Sequence, residues 1–410
     1  MNHQHSSQRI VLNVIVNLTI FFLVGTHAIA SAEPMISDKI TAQYNDIHLF
    51  SDSLAAVKIA NHYGFIDNQG KMAVTPQFDD AHDFSEGVAV IKINGRYGFI
   101  DKKGKMVFVP QFITARNFAD GRAAIIIGDT REKIFYVDKQ KNILINQQFG
   151  ATPGFKKNMT RVNIGEFGAN KFGFIDRKGR LIVLPQFDMA HDFSEGLSGV
   201  RNGDDRTGKF GFIDTNGKMI ISFQFDAVNK FVDGLASIRL GDTLTGKWGA
   251  INKRGKLVIN PIFDALGIFS EGFAVAKTGN KSLYINRQGN NLFNLTFDRA
   301  CVFSEGRAAV KIGQKFGFID NKGRMAITPH FVEAFPFSDG LALVKVGNLY
   351  GYIDRDATIV IKPRFTAAQG FSEGLAKVMI NEGNKTTFGF IDKQGNVVIT
   401  LKLTEEDPGP

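Results

Sequence analysis

Apolar and polar residues along this chain fall into short runs, not helical stripes. Stretches such as GVAVIKI (87–93) and GLALVKV (340–346) are rich in β-branched and apolar residues and are bounded by Gly, Asp or Asn. That is the signature of short strands joined by tight turns. Between them a second phrase recurs as YGFIDNQG (63–70), YGFIDKKG (97–104), FGFIDRKG (172–179), FGFIDTNG (210–217), FGFIDNKG (316–323) and FGFIDKQG (388–395). It reads as a hairpin, because Asp suits the first position of a type I turn and the Gly three residues later suits a left-handed bulge position.

Two markers give the repeat its arithmetic. One is the Phe of the F-S-E-G phrase or its equivalent, at Phe50, Phe84, Phe118, Phe155, Phe193, Phe231, Phe269, Phe303, Phe337 and Phe371. The other is the Gly of the G-F-I-D phrase or its substitute, at Gly64, Gly98, Phe135, Gly173, Gly211, Gly249, Leu283, Gly317, Gly351 and Gly389. Each Gly marker lies 20 residues before the next Phe marker without exception. From a Phe marker to its own Gly marker the spacing is 14, 17 or 18 residues. All length variation sits in one connection, so the constant segments are locked into packing and the variable one lies at a free edge. Each unit holds two or three strands, too few to bury its own Phe residues, and must stack on its neighbours.

The stretch KWGAINKRGKLVINPIFDALGIFSEGFA (247–274) resembles the bacterial WG-repeat family, also called KWG repeats, and the resemblance extends over about residues 42–403. Only Trp248 carries the eponymous Trp; Tyr or Phe replaces it elsewhere, and Ile134 and Ser282 depart altogether. The resemblance implies an all-β repeat array, often exported, that acts as an interaction module with no established common activity. The expected fold is therefore a tandem array of ten 34–38-residue repeats, open and solenoid-like or superhelical. A closed, propeller-like ring is the alternative. Units this short and this numerous suit the open form better, since propellers typically have four to eight larger blades.

Composition refines this picture. There are 38 Phe and 43 Gly but one Cys, Cys301, so no intramolecular disulfide forms. The formal net charge is +9, with Lys and Arg scattered along the chain. That permits attraction to acidic polymers without specifying one. The run IVLNVIVNLTIFFLVGTHAIA (10–30), followed by small residues, reads as a signal peptide over residues 1–32 cleaved after Ala30 or Ala32, with an uncleaved membrane anchor as the alternative. Residues 33–41 form a short linker and residues 404–410 a polar tail. The mature protein is expected to be periplasmic or secreted with no membrane span, and nucleic acid is not an expected partner.

Candidate chemistry is sparse. Nine of ten units place a carboxylate in the F-S-E-G column, from Asp52 and Glu86 to Glu373, with Lys157 the exception. The reading favoured here is that each one caps a turn or pairs with a basic residue of the adjacent unit. A second column holds His48, His82, His191 and Cys301 among unlike residues, and is best explained as a solvent-facing or loop position. No motif of a nucleophile, zinc site or phosphate loop occurs, so no catalytic residue, cofactor or metal is assigned. The aromatics before the Gly marker pack as core or, alternatively, form a ladder for glycan. The least regular copies, around 134–162 and 280–295, are where a unique pocket would lie.

The reading that follows is a non-enzymatic interaction scaffold of the cell envelope, whose long loops (163–171, 201–209, 239–247 and 380–387) line one edge. Its partner is a protein or an envelope polymer; a glycan- or peptidoglycan-binding module is the alternative. Candidate binding residues are Tyr97, Trp248, Arg201, Asp204, Asp205, Arg206 and Lys247.

Overall fold

In a computed structural model, residues 40–43, 46–128, 134–146, 155, 158–164, 171–382 and 385–402 are described. All lie in the compact unit Lys39–Pro410. The leader expected over residues 1–32 and the tail at 404–410 fall outside the described residues, as do parts of the long loops 163–171 and 380–387.

In the second repeat the chain enters along Asp79–Ser85, of which Asp80–Ala81 is regular strand. The Asp79 and His82 N–H groups donate to the Lys92 and Val90 carbonyls at 2.9 Å each. Ser85 and Val88 then exchange backbone hydrogen bonds around Glu86 and Gly87, whose φ angles are +55° and +80°. Two successive left-handed residues make a type I′ hairpin turn, the form that matches strand twist. The F-S-E-G phrase is therefore a turn. Strand Val88–Ile93 pairs antiparallel with Arg96–Asp101, which pairs with the outer strand Met106–Phe112. The turn after Asp101 is the one its sequence predicts: the Gly104 N–H donates to the Asp101 carbonyl at 2.9 Å, and Gly104 has φ +77°.

The glycine of the G-F-I-D phrase answers to a close approach. A Cβ on Gly98 would stand 2.6 Å from the Phe108 carbonyl oxygen and 2.9 Å from the Pro110 nitrogen. The ladder shifts register here, between Tyr97↔Phe112 and Phe99↔Phe108, so the outer strand bulges across the Gly.

Ten such small sheets follow one another among the described residues, eight of them with four or more strands. They close into a ring. Strand Ile40–Gln43 runs parallel to the last outer strand, Val397–Lys402, with Ile40 opposite Ile399 and Gln43 opposite Lys402. The tenth blade thus gains a fifth strand from the start of the chain. The open array expected from unit size is not what forms; the ten-bladed propeller ring is. Blades of 34–38 residues suffice because the innermost strand shrinks to about two regularly paired residues and most turns to two or three.

The core lies between blades. Leu54, Phe65, Val74 and Phe78 of blade 1 pack on Ala81, Phe84, Ala89 and Ile100 of blade 2. The same kind of cluster joins blade 10 to blade 1 through Leu375, Phe390 and Ile399 against Ile47, Phe50 and Val57. Most marker Phe residues stand edge-on to the G-F-I-D aromatic of the preceding blade: Phe65–Phe84 at 4.7 Å, Phe99–Phe118 at 5.1 Å, Phe212–Phe231 at 4.9 Å, Tyr352–Phe371 at 4.8 Å. That pairing accounts for the fixed 20-residue spacing. At the blade 6–blade 7 junction Ala250 takes the aromatic position opposite Phe269, and both are buried.

Candidate functional site

Successive strands alternate direction, so the ring has two faces. One carries the type I′ turns and the three-residue turns; the other carries the variable loops and the links from outer to inner strands.

On the turn face the acidic column binds blade to blade. Asp52 Oδ2 accepts the Gly87 N–H at 2.6 Å, Glu86 Oε2 the Gly121 N–H at 2.9 Å, and Asp339 Oδ2 the Gly374 N–H at 2.9 Å. Basic residues of the next blade's three-residue turn add ion pairs, Lys253–Glu195 at 3.0 Å and Arg355–Glu305 at 2.8 Å. Burial pushes the Glu195 carboxyl up, but Lys253 and the Gly234 N–H more than offset it and hold the group below the usual range. The expected turn-capping and pairing role is what these distances describe. Among the described residues no group of three or more His, Cys, Asp or Glu is placed to hold a metal ion.

The histidine column lies on the inner segments and is half-buried, not a free loop position. His48 Nδ1 is 2.8 Å from Asp83 Oδ1 of the next blade, and His82 Nδ1 is 3.3 Å from Asn117 Oδ1. Each histidine thus meets the residue after its neighbour's equivalent, not a second histidine.

The loop face holds most of the candidate binding residues. In blade 5, strands Leu197–Asn202 and Lys209–Asp214 are joined by a loop folded on Asp204. Asp204 Oδ1 accepts the Arg206 and Thr207 N–H groups at 2.9 and 2.7 Å and the Thr207 hydroxyl at 2.9 Å. Those donors hold its carboxyl below the usual range. Arg201 forms a 2.6 Å ion pair with Asp205, whose side chain is 90% exposed. Arg206 is exposed. Blade 6 repeats the loop on Asp242, which caps the Leu244 and Thr245 N–H groups at 2.7 Å each. Here Leu244 stands where Arg206 does, and it is 94% exposed.

Struts link these blades beneath the loops. Asp188 accepts from Lys171 of blade 4 at 2.5 Å and from the Gly203 N–H of blade 5 at 2.8 Å, and both lower its carboxyl. Asp226 bridges Lys209 and the Gly241 N–H in the same way. Lys247 is likewise ion-paired to Asp264.

The aromatic candidates are covered. Lys92 lies 5.2 Å from the Tyr97 ring centre and Arg239 lies 5.9 Å from that of Trp248, each from the directly paired position on the adjacent strand. Both rings are half-buried. The seven candidates therefore divide: Arg201, Asp204, Asp205 and Arg206 share one loop, Lys247 and Trp248 begin the third strand of the next blade, and Tyr97 stands alone in blade 2. Leu244 was not among them; its alignment with Arg206 in an otherwise matching loop is the signal that would have found it.

Fold and site together define a tandem-repeat β-propeller whose variable loops share one face. The family model described as WG containing repeat matches nine times, at residues 63–97, 97–130, 172–204, 210–243, 248–281, 284–316, 316–350, 350–383 and 388–405. The chain belongs to that WG-repeat family. No curated protein matches it. Among solved structures it is similar to the extracellular domain of a putative hybrid two-component system of B. thetaiotaomicron (9% identity, TM-score 0.24, 90% of this chain and 60% of that one). It is also similar to PorZ, a bacterial surface component of the type-IX secretion system of Porphyromonas gingivalis (11% identity, TM-score 0.22, 90% and 66%). The chain thus spans under two thirds of either structure's length. No helix among the described residues is long and apolar enough to cross a membrane.

Proposed function

We propose that this protein is an exported, non-catalytic scaffold of the bacterial cell envelope that captures a protein partner on the loop rim of blades 5 and 6. One observation carries the reading. Two neighbouring loops share the same Asp-centred capping, yet present different exposed side chains, Arg206 and Leu244. A loop held rigid by its own hydrogen bonds loses little entropy on binding, so side chains at its tip serve as pre-organised contacts. An exposed guanidinium on one loop and an exposed isobutyl group on the next suit a polar, mixed protein surface. Export rests on the apolar run and small-residue exit within residues 10–32.

The test replaces residues 203–208 and 241–246 with the two-residue Asn-Gly turn that Asn94-Gly95 provides in blade 2. The variant should keep its melting temperature and β-sheet spectrum and lose the partner recovered by cross-linking from the envelope fraction. Recovery of the same partner in equal yield counts against the reading.

A further inference from the structure

In the position directly after the F-S-E-G turn, eight of ten repeats carry an apolar residue: Leu54, Val88, Met159, Leu197, Leu235, Phe273, Leu341 and Leu375. Six of the eight are buried, all but Met159 and Phe273. Arg122 and Arg307 break the column. They stand in blades 3 and 8, five blades apart in a ring of ten.

Arg307 lines a cleft of about 450 Å³ between blades 8 and 9, together with Asp320, Arg324, Ala326, Arg355 and Asp356 among others. Its charges are unevenly matched. Arg324 binds Asp320 through Nε and Nη2, at 2.8 and 2.7 Å. Asp320 also caps its own turn through the Lys322 and Arg324 N–H groups, which fills its acceptor sites. Arg355 is taken by Glu305 at 2.8 Å. Arg307 sits opposite Asp320 in the strand register, yet its guanidinium donates only to carbonyls, Gly306 at 3.2 Å and Arg355 at 3.5 Å. Its Nε is buried without a hydrogen-bond partner among the protein atoms. A cation placed in a groove with only neutral acceptors in contact favours an anion at that spot.

We infer that the blade 8–blade 9 cleft is a binding site for a small oxyanion, the carboxylate or phosphate group of a ligand, held by the Arg307 guanidinium. Arg324 and Arg355 are each spent on a carboxylate, Asp320 and Glu305, which leaves the Arg307 guanidinium to hold one anionic group, and Asp356 in the lining disfavours a polyanion. The cleft volume suits a small molecule. The site lies on the turn face, away from the loop rim, so its failure and that of the scaffold reading are independent.

Arg307→Leu restores the residue type found in the other repeats and should fold with an equal or higher melting temperature. Titration calorimetry of the full chain at constant ionic strength, with inorganic phosphate and separately with acetate, should give saturable binding of at least one. Arg307→Leu should weaken that binding about tenfold or more, the scale of a lost charge-assisted contact. Arg307→Gln, which keeps a polar side chain without charge, should weaken it similarly. Absence of saturable binding to either anion, or unchanged affinity in both variants, overturns the inference.

Discussion

Glu373 Oε2 accepts a hydrogen bond from the backbone N–H of Ser53 at 3.1 Å, across 320 positions of sequence. It is the same contact that Glu86 makes with Gly121 one blade on, repeated where the last blade meets the first. The seam is reinforced by the edge-on pair Phe50–Phe390 at 5.1 Å and by the Lys377 ammonium on the Ile47 carbonyl at 2.8 Å. Closure reuses the ordinary blade contact and adds one parallel strand.

Removing a marker Phe should be costly at any junction. Phe84 is buried against Phe65. Phe84→Ala should destabilise the protein by about 3–5 kcal/mol, as large-to-small aromatic changes in cores do. Phe50→Ala at the seam should cost a similar amount if the ring is closed. Equilibrium denaturation in urea measures both, and a negligible effect at Phe50 would contradict closure.

Gly98→Ala should destabilise by about 1–3 kcal/mol, because the added methyl meets backbone atoms that cannot turn aside. Gly87→Ala meets open space, and only its positive φ opposes it, at about 1–2 kcal/mol. Thermal melts should therefore show a clash at Gly98 with local loss of outer-strand amide protection near Phe108, and no such loss for Gly87.

Two histidines should respond to pH in opposite directions. The hydrogen bond that the His48 ring donates to Asp83, with help from Asp83 and Asp46 charge, raises the His48 pKa against burial. Its contribution is full below the unfolded value near 6.5 and is lost as pH rises through the higher folded value. Burial, followed by Arg161, lowers the His191 pKa. That residue costs stability as pH falls below about 6.5. The stability gap between wild type and His48→Gln should thus narrow from pH 5.5 to pH 8, and His191→Gln should gain relative stability at pH 5.5. Parallel pH dependence in both variants would refute the assignment.

The acidic column should be structural. Glu195→Gln loses the Lys253 ion pair and weakens the bond to the Gly234 N–H, at a cost of about 0.5–1.5 kcal/mol. Calcium and chelator should leave the melting temperature of wild type unchanged. A calcium-dependent shift abolished by Glu195→Gln would show a cation site instead.

The local architecture was legible because each phrase encodes its own geometry. Asp101 and Gly104 specify one turn, and the 20-residue spacing fixes which ring meets which. The turn at Glu86-Gly87 and the two-residue inner strand before it, which make most blades four-stranded where two or three strands were expected, were not read from the sequence. Closure was not legible, because an open array and a ring share the same contacts between neighbours and differ only in a small rotation per unit. The segment that decides it, Ile40–Gln43, opens the phrase ITAQY (40–44), which matches the outer-strand phrase VTPQF (74–78) one repeat on, and nothing in that phrase says that it pairs with Val397–Lys402. The binding candidates were half legible: Arg201 to Arg206 follow from loop length, whereas the cover over Tyr97 depends on Lys92 in a paired strand. Arg307 was visible only as a break in an apolar column.

The most direct test of closure is a cross-link between the chain ends. With Cys301 replaced by Ser, cysteines at positions 41 and 400, which are paired across the parallel strands, should form an intramolecular disulfide under mild oxidation. The account predicts a monomeric, faster-migrating species in high yield that reverts on reduction. Only uncross-linked monomer, or only intermolecular dimers, would show that the ring does not close.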